Sequence, residues 1–212
     1  MLLRKVLLEA YLWLKDQLNI LSNPQFLYSL HLLQYLCQSS GMDNKLLLQD
    51  AVSKVAEIDY ESDQVLIQQR IGAIAVNDLI AHFNAEAEID DYELLALVLV
   101  RFKDLQVRDY AMGLATDENK DELFNLWYWL MNLSPKGYIA PVACIFAACA
   151  YESGESDLAH NGILSALADC PNYPLALLLR RVFIAAWPAD SFAMMRAQLH
   201  PKICSSLFGS SI

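Results

Sequence analysis

The chain has 212 residues, and 56% of them are hydrophobic, which supplies a sizeable core and excludes disorder for most of its length. Its formal net charge is −10. Because general affinity for nucleic acid comes from lysine and arginine contacts with phosphates, this charge argues against a nucleic-acid partner.

Apolar residues recur at steps of three and four along the chain and strand-like alternation is absent, so we expect an all-α fold. Helices with apolar stripes are predicted over 3–18, 26–37 and 47–55. A fourth helix begins at Ser62 or Asp63, although Gly72 and Asn77 weaken the prediction that it is unbroken. Its less regular apolar residues are Leu66, Ile67, Ile71, Ile74 and Leu79.

Asp90 and Glu93 have the spacing of a capping box at the start of the next helix. Residues 94–100 of that helix are apolar on most sides, which predicts burial. A break in the helical pattern follows near Asp104. Thr116 is predicted to cap the helix that begins after Thr116.

The stretch from Tyr138 to Trp187 specifies more structure than any other part of the chain. Pro141 suits the start of a helix, and Gly154 suits its end, where a left-handed residue is needed. Ser156 is predicted to cap a second helix, which Pro171 prevents from continuing. Two short helices joined by so tight a turn are expected to lie antiparallel.

Small residues along these two helices predict close packing. They are Ala147, Ala148, Ala150, Ala159, Gly162 and Ala166. Gly162 lies on or beside the buried stripe, where its cost of about 1 kcal/mol against alanine indicates close approach of the Pro141 helix. The order of these residues resembles a tetratricopeptide hairpin. We therefore expect a multi-helix array of antiparallel hairpins, tetratricopeptide-like in the C-terminal half.

Asp190 is predicted to cap a short final helix, and 201–212 reads as a loose tail. The expected organisation is a single all-helical domain over 1–200, with a subdivision into 1–88 and 89–200.

Motifs between Leu94 and Phe192 support a family resemblance. They are VRFKDLQVRDY, LWYWL, YIAP, ESGESDLA, ALADCPNYPLALLL and AAWPADSF. In this order they resemble the C-terminal helical region of an actinobacterial family of uncharacterised proteins, a domain of unknown function. The resemblance rests on Asp104, Val107, Arg108 and Asp109, on the turn from Gly154 to Ala159, and on Pro171 and Tyr173. It implies an α/β portion before these helices, and no such portion is seen in this sequence. We therefore expect the chain to be a helical fragment or a shortened form of the family.

Asp104, Arg108 and Asp109 form the best polar cluster in the sequence. Asp104 and Arg108, four residues apart, share a helix face, so we interpret the cluster as structural, with Arg108 ordering a nearby loop. An anion site on Arg108 is the functional alternative. Arg180 and Arg181 follow an apolar run and are expected to snorkel or pair with acids rather than bind phosphate.

Three consecutive aromatic residues lie about 100° apart on their helix and cannot all face the core. We expect Trp127 in the core and Tyr128 or Trp129 at a groove or contact surface. Together with Arg180 and Arg181, these two form the candidate interaction surface.

No catalytic residue, cofactor or metal site is expected. The chain has no hydrolase or nucleotide motif, and no cysteine lies at metal-ligand spacing to a histidine. The histidines are His31, His82, His160 and His200, and the cysteines are Cys37, Cys144, Cys149, Cys170 and Cys204. We expect all five thiols to be reduced and to react only after denaturation, with the exception of Cys204 in the tail.

A cytoplasmic location is expected, because Glu9 and Lys15 interrupt the apolar run that imitates a signal peptide. The most apolar windows are also shorter than the roughly 20 residues needed to span a bilayer. The leading hypothesis is a non-enzymatic helical domain for protein–protein interaction or scaffolding, through a partner protein or self-association. The alternative is an accessory helical portion of an enzyme or regulator whose reactive domain is absent from this chain.

Overall fold

The computed structural model describes residues 43–86 and 89–209. All regular secondary structure in these two ranges is helical, which confirms the all-α prediction. The helices are α1 (43–54), α2 (Val65–Glu86), α3 (Tyr92–Arg101), α4 (Leu105–Gly113), α5 (Lys120–Leu133), α6 (Ile139–Glu152), α7 (Ser156–Asp169), α8 (Pro174–Ile184) and α9 (Ala189–Phe208). The helices predicted over 3–18 and 26–37, with His31 and Cys37, lie outside the described residues.

The chain divides into two compact units, Met1–Asn44 and Lys45–Ile212. Only Asp43 and Asn44 of the first unit belong to the described residues. Helices α2 to α9 all lie in the second unit.

Helix α6 occupies the centre of the second unit. All eleven residues from Ala140 to Ala150 are buried, so no side of the helix faces solvent over that length. It packs against α4, α5, α7, α8 and α9. Small residues, alanine and cysteine, occur around the whole circumference of this helix. Neighbouring helices can therefore pack against it on all sides.

The junction between α6 and α7 follows from Gly154. This glycine has φ +79°, a conformation that costs other residues energy. Its N–H donates to Tyr151 O at 3.1 Å, and the N–H of Glu155 donates to Ala150 O at 2.9 Å. These two bonds form a Schellman motif, which ends α6 and satisfies its last carbonyls.

Gly162 brings α7 against α6, as its sequence position predicted. A Cβ at this glycine would lie 3.0 Å from Ala147 Cβ, 3.1 Å from Ala143 O and 3.1 Å from Phe146 Cδ1. The helices therefore meet so closely that a Cβ at this position would have to displace its neighbours on α6 by a few tenths of an ångström.

Helix α2 is continuous for 22 residues despite the two weak positions within it. A Cβ at Gly72 would lie 2.9 Å from Arg101 Cβ and 3.0 Å from Val107, so the glycine permits close packing against α3 and α4. Asn77 Nδ2 donates to Tyr110 Oη at 3.0 Å. Tertiary contacts at both positions compensate for their low helix propensity.

The expected loose tail from residue 201 differs from the structure, because α9 runs to Phe208 with Pro201 inside it. Leu207 is fully buried, its carbonyl accepts a hydrogen bond from Arg70 Nε, and the Phe208 ring contacts Tyr110 at 5.8 Å between centroids. These contacts hold the last turns in place beyond the proline. Residues 210–212 of the predicted tail lie outside the described residues.

Four predicted caps also shift by one to three residues, and one of them is Asp190, which lies in the first turn of α9 after Pro188 as the N-cap. Asp91, not Asp90, caps α3 and accepts from Leu94 N at 2.9 Å. Asn119 precedes α5 in place of Thr116, whose N–H it binds at 2.7 Å. Glu155 replaces Ser156 as the residue before α7. Neighbouring polar residues are equivalent as sequence signals, and the path of the loop decides which one caps.

Candidate functional site

Asp104 is the N-cap of α4, and its carboxylate is fully engaged inside the fold. One oxygen accepts from the backbone N–H groups of Gln106 at 2.8 Å and Val107 at 3.1 Å. The other accepts from Tyr60 Oη and Gln69 Nε2, each at 2.9 Å. Burial, together with the bond to Asp104, raises the pKa of Tyr60 to about 12. The hydrogen bonds of Asp104 therefore join α2 to α4.

Arg108 pairs with Asp109, whereas the sequence placed it on a shared face with Asp104. Its Nε and one terminal nitrogen donate to a single Asp109 oxygen at 2.8 and 2.6 Å. Its other terminal nitrogen donates to Tyr173 Oη at 3.1 Å. The predicted polar cluster is thus two separate networks. Because each guanidinium nitrogen of this buried arginine already has a partner, the alternative of an anion site on Arg108 gains no support.

The four residues of the predicted interaction surface lie on two helices. Tyr128 and Trp129, on α5, pack their rings against Phe146 at 5.2 Å and Phe83 at 5.5 Å. Tyr128 is exposed and Trp129 is half-buried. Arg180 and Arg181 are exposed on α8, which packs against α6 and α7.

Trp127, expected in the core, is fully buried there against Phe102, with their ring centroids 5.9 Å apart.

A second apolar surface, which the sequence reading missed, runs along α2. Ile67, Ile71 and Ile74 are 46%, 39% and 51% exposed. At 100° per residue they fall within a narrow sector of the helix, opposite the buried face that carries Val76 and Leu79. We call these three isoleucines the outer face of α2. The signal in the sequence was their spacing of four and three, beside a separate stripe that already accounts for the core.

Asp169, at the end of α7, caps the start of α6 from about thirty residues away. Its Oδ2 accepts from the N–H groups of Ile139 and Ala140, each at 3.0 Å, and Oδ1 accepts from Gly137 N at 2.7 Å. Pro141 follows and has no N–H to satisfy. The carboxylate therefore serves the first turn of α6, which has no cap from its own side chains.

A surface cleft of about 420 Å³ lies beside this cap, with Lys45, Lys136, Asn132 and Ser165 in its lining. The carboxylate in that lining is Asp169, and both of its oxygens are occupied by backbone donors. The cleft thus offers exposed lysines but no available carboxylate for acid–base chemistry.

Arg196 and Glu152 form a buried ion pair that sequence patterns did not indicate. Two guanidinium nitrogens bind the two carboxylate oxygens at 2.7 and 2.8 Å, and the third donates to Ala115 O at 2.8 Å and Gly113 O at 3.2 Å. The arginine thereby ties α9 to the end of α6, and it satisfies the carbonyl of Gly113, the last residue of α4, and that of Ala115 just beyond it. Both charges are satisfied within the fold, so the pair is structural.

His200 and Cys204 come together on one face of α9, with Nε2 and Sγ 3.3 Å apart, although the sequence reading found no such spacing. Burial raises the pKa of Cys204. Burial and the neighbouring Arg196 lower the pKa of His200. Both shifts favour a neutral thiol beside a neutral imidazole, whereas a nucleophilic cysteine requires the thiolate.

The other cysteines differ in exposure. Cys144 and Cys149 are buried as expected, but Cys170 is exposed, so the expectation of a protected thiol is wrong there. Cys170 lies at the C-terminal end of α7, where Pro171 turns the chain away from the core.

Within residues 43–86 and 89–209, no group of three or more His, Cys, Asp or Glu side chains could hold a metal ion. No helix in these ranges is long and apolar enough to cross a membrane.

A comparison with models of known protein families assigns the chain to one of them. Residues 47–189 match the model of a family described as Domain of unknown function (DUF4192). The chain belongs to this family. No curated protein and no solved structure matches the chain.

The DUF4192 match contains most of the features described above. The outer face of α2, Asp104, Arg108 and Asp169 all lie inside it, whereas Arg196 lies beyond its C-terminal limit. The match also begins before the motifs that first suggested a family of unknown function, since it includes most of α1 and all of α2.

Proposed function

We propose that the chain is a non-enzymatic helical domain that acts in protein–protein interaction or scaffolding, through the outer face of α2. The observation that supports this is the exposure of three isoleucines on one side of a helix whose opposite side is already in the core. A helix that is apolar on both sides is normally covered on both sides. A protein surface that covered Ile67, Ile71 and Ile74 would remove these side chains from water.

The polar groups of the described residues fit the non-enzymatic part of the proposal. Four charged side chains form hydrogen bonds inside the fold: Asp104, Arg108, Asp169 and Arg196. Such bonds hold helices in position and leave no free acid, base or nucleophile among these four groups.

An accessory role beside a separate enzyme or regulator is the alternative, and it would use the same surface. A cytoplasmic location, an actinobacterial origin and a tetratricopeptide-like character for the α6–α7 pair complete the proposal.

Site-specific crosslinking in the native cell tests the proposal. We would place a photoreactive amino acid at position 71, on the outer face, and at position 164 as the matched control. Leu164 is 51% exposed on α7, so both positions present an exposed aliphatic residue on a helix. Position 71 is expected to give a discrete adduct with one protein, and position 164 is not.

Ile71→Asp should abolish co-purification of that protein, whereas Leu164→Asp should not, with equal denaturant midpoints for the two variants. Identical adducts from both positions, or co-purification that survives Ile71→Asp, would refute the proposal. A captured enzyme whose turnover rises on addition of the chain would establish the accessory role.

A further inference from the structure

Acidic residues flank the outer face of α2 in the sequence, and the carboxylate of Asp63 accepts a hydrogen bond from Gln64 Nε2 at 3.2 Å. Asp63 lies in the turn before the helix, and Asp78 lies one turn beyond Ile74 in the same sector. Both are exposed. From Val65, the first residue of α2, to Asp78 the helix rises about 20 Å at 1.5 Å per residue, and Asp63 lies two residues before Val65.

The arginines nearest this face in the sequence donate to backbone carbonyls of other segments. From 56 to 102 the chain has no lysine, and its arginines are Arg70 and Arg101. Arg70 donates to the carbonyl of Leu207 on α9, and Arg101 donates to Ala56 O at 2.7 Å. The outer face therefore presents apolar side chains between negative charges that no arginine of this segment neutralises.

We infer that the partner of this face is a basic amphipathic helix of another protein. The inference rests on the proposed function and adds the chemistry of the partner to it. Such a helix would carry apolar residues spaced by four and three, which pack between Ile67, Ile71 and Ile74, and lysine or arginine near both ends. Its cations would face Asp63 and Asp78.

A second copy of the chain fits this face poorly because of charge. In an antiparallel pair Asp63 of each copy lies opposite Asp78 of the other, and in a parallel pair each aspartate lies opposite its own equivalent. Like charges meet in either arrangement, and each copy adds a net charge of −10.

Binding of two designed peptides to the full chain tests the inference. Both peptides are amidated helices of about 19 residues with leucines spaced by four and three. One carries lysines at both ends, about 15 residues apart, and the other carries glutamates at the same positions. Fluorescence anisotropy at low salt measures their affinities for the native chain and for Asp63→Lys/Asp78→Lys.

The native chain is expected to prefer the lysine peptide by about tenfold, since each exposed charge pair contributes modestly and salt screens it. The doubly reversed chain should prefer the glutamate peptide, and Ile71→Asp should weaken both peptides. Equal affinity for the two peptides, or a preference unchanged by charge reversal, overturns the inference. So does a native chain that sediments as a dimer and becomes monomeric with Ile71→Asp.

The two proposals fail separately. If position 71 crosslinks one protein in cells but the peptides show no charge preference, the interaction surface stands and the basic partner is rejected. If position 71 gives no specific adduct, the proposed function fails whatever the peptides do.

Discussion

A side chain at Gly162 would have to occupy space that α6 already fills. The Cβ position is 3.0 Å from Ala147 Cβ and 3.1 Å from Ala143 O. Neither atom can move without its helix, since one is a backbone oxygen and the other is fixed to the backbone. Phe146 Cδ1, at 3.1 Å, belongs to a buried ring that also contacts Phe124 and Tyr128. Any added atom must therefore push the two helices apart.

The expected cost combines two opposing effects. Overpacking costs about 1–3 kcal/mol, and replacing a helical glycine returns about 1 kcal/mol of propensity. Gly162→Ala should then lose about 0–2 kcal/mol. Gly162→Leu adds three further carbons against the same wall and should lose about 3 kcal/mol or more. For a chain of this size, a loss of about 2 kcal/mol lowers Tm by roughly 4–8 °C.

Urea denaturation followed by circular dichroism measures these losses, with Asn161 as the control position. Asn161 is the neighbouring residue on α7 and is exposed, so Asn161→Ala and Asn161→Leu gain helix propensity without meeting α6. Both should be slightly more stable than the native chain. If Gly162→Leu is as stable as Gly162→Ala, or if both Gly162 variants are stabilised like the Asn161 pair, close packing does not set the α6–α7 distance.

Three further predictions concern helix ends and thiols. Gly154 and Ala186 occupy the same left-handed position after α6 and α8, with φ +79° and +49°. Gly154→Ala should therefore destabilise the chain by about 1 kcal/mol and Ala186→Gly stabilise it by up to about 1 kcal/mol; equal signs in thermal denaturation would contradict this. Asp169→Ala removes the acceptor for three N–H groups and should cost about 1–3 kcal/mol in urea, with a smaller loss for Asp169→Asn. Iodoacetamide at pH 8, followed by peptide mass mapping, should label exposed Cys170 quickly. It should not label Cys144. Burial raises the pKa of Cys144 to about 12, so this thiol stays protonated at pH 8. Early labelling of Cys144 would show that α6 is accessible.

The sequence by itself determined features that depend on residues within about four positions of one another. The spacing of apolar residues predicted helices, and the structure confirms them across the described residues. Gly154 predicted the end of α6 because one residue there must be left-handed. Gly162 predicted a close contact, since glycine inside a helix carries a cost that a packing contact explains.

The partners of polar residues were decided only by the tertiary structure. Asp104 and Arg108 have the spacing of a local pair, yet Asp104 binds Tyr60 and Gln69, and Arg108 binds Tyr173. Asp169 caps a helix that begins thirty residues earlier. A charged side chain takes whichever donor or acceptor the fold brings within about 3 Å, and that choice has no period in the sequence.

The division of apolar residues between core and surface was likewise settled by packing. Helix α2 has apolar residues on two sides in the sequence, and the positions of α3, α4, α5 and α9 show that Val76 faces inward while Ile71 is left outside. Proline usually ends a helix. The burial of Leu207 nevertheless holds α9 together beyond Pro201. Local propensities differ by about 1–3 kcal/mol, and contacts between remote segments are of the same size, so the tertiary structure decides wherever the two disagree.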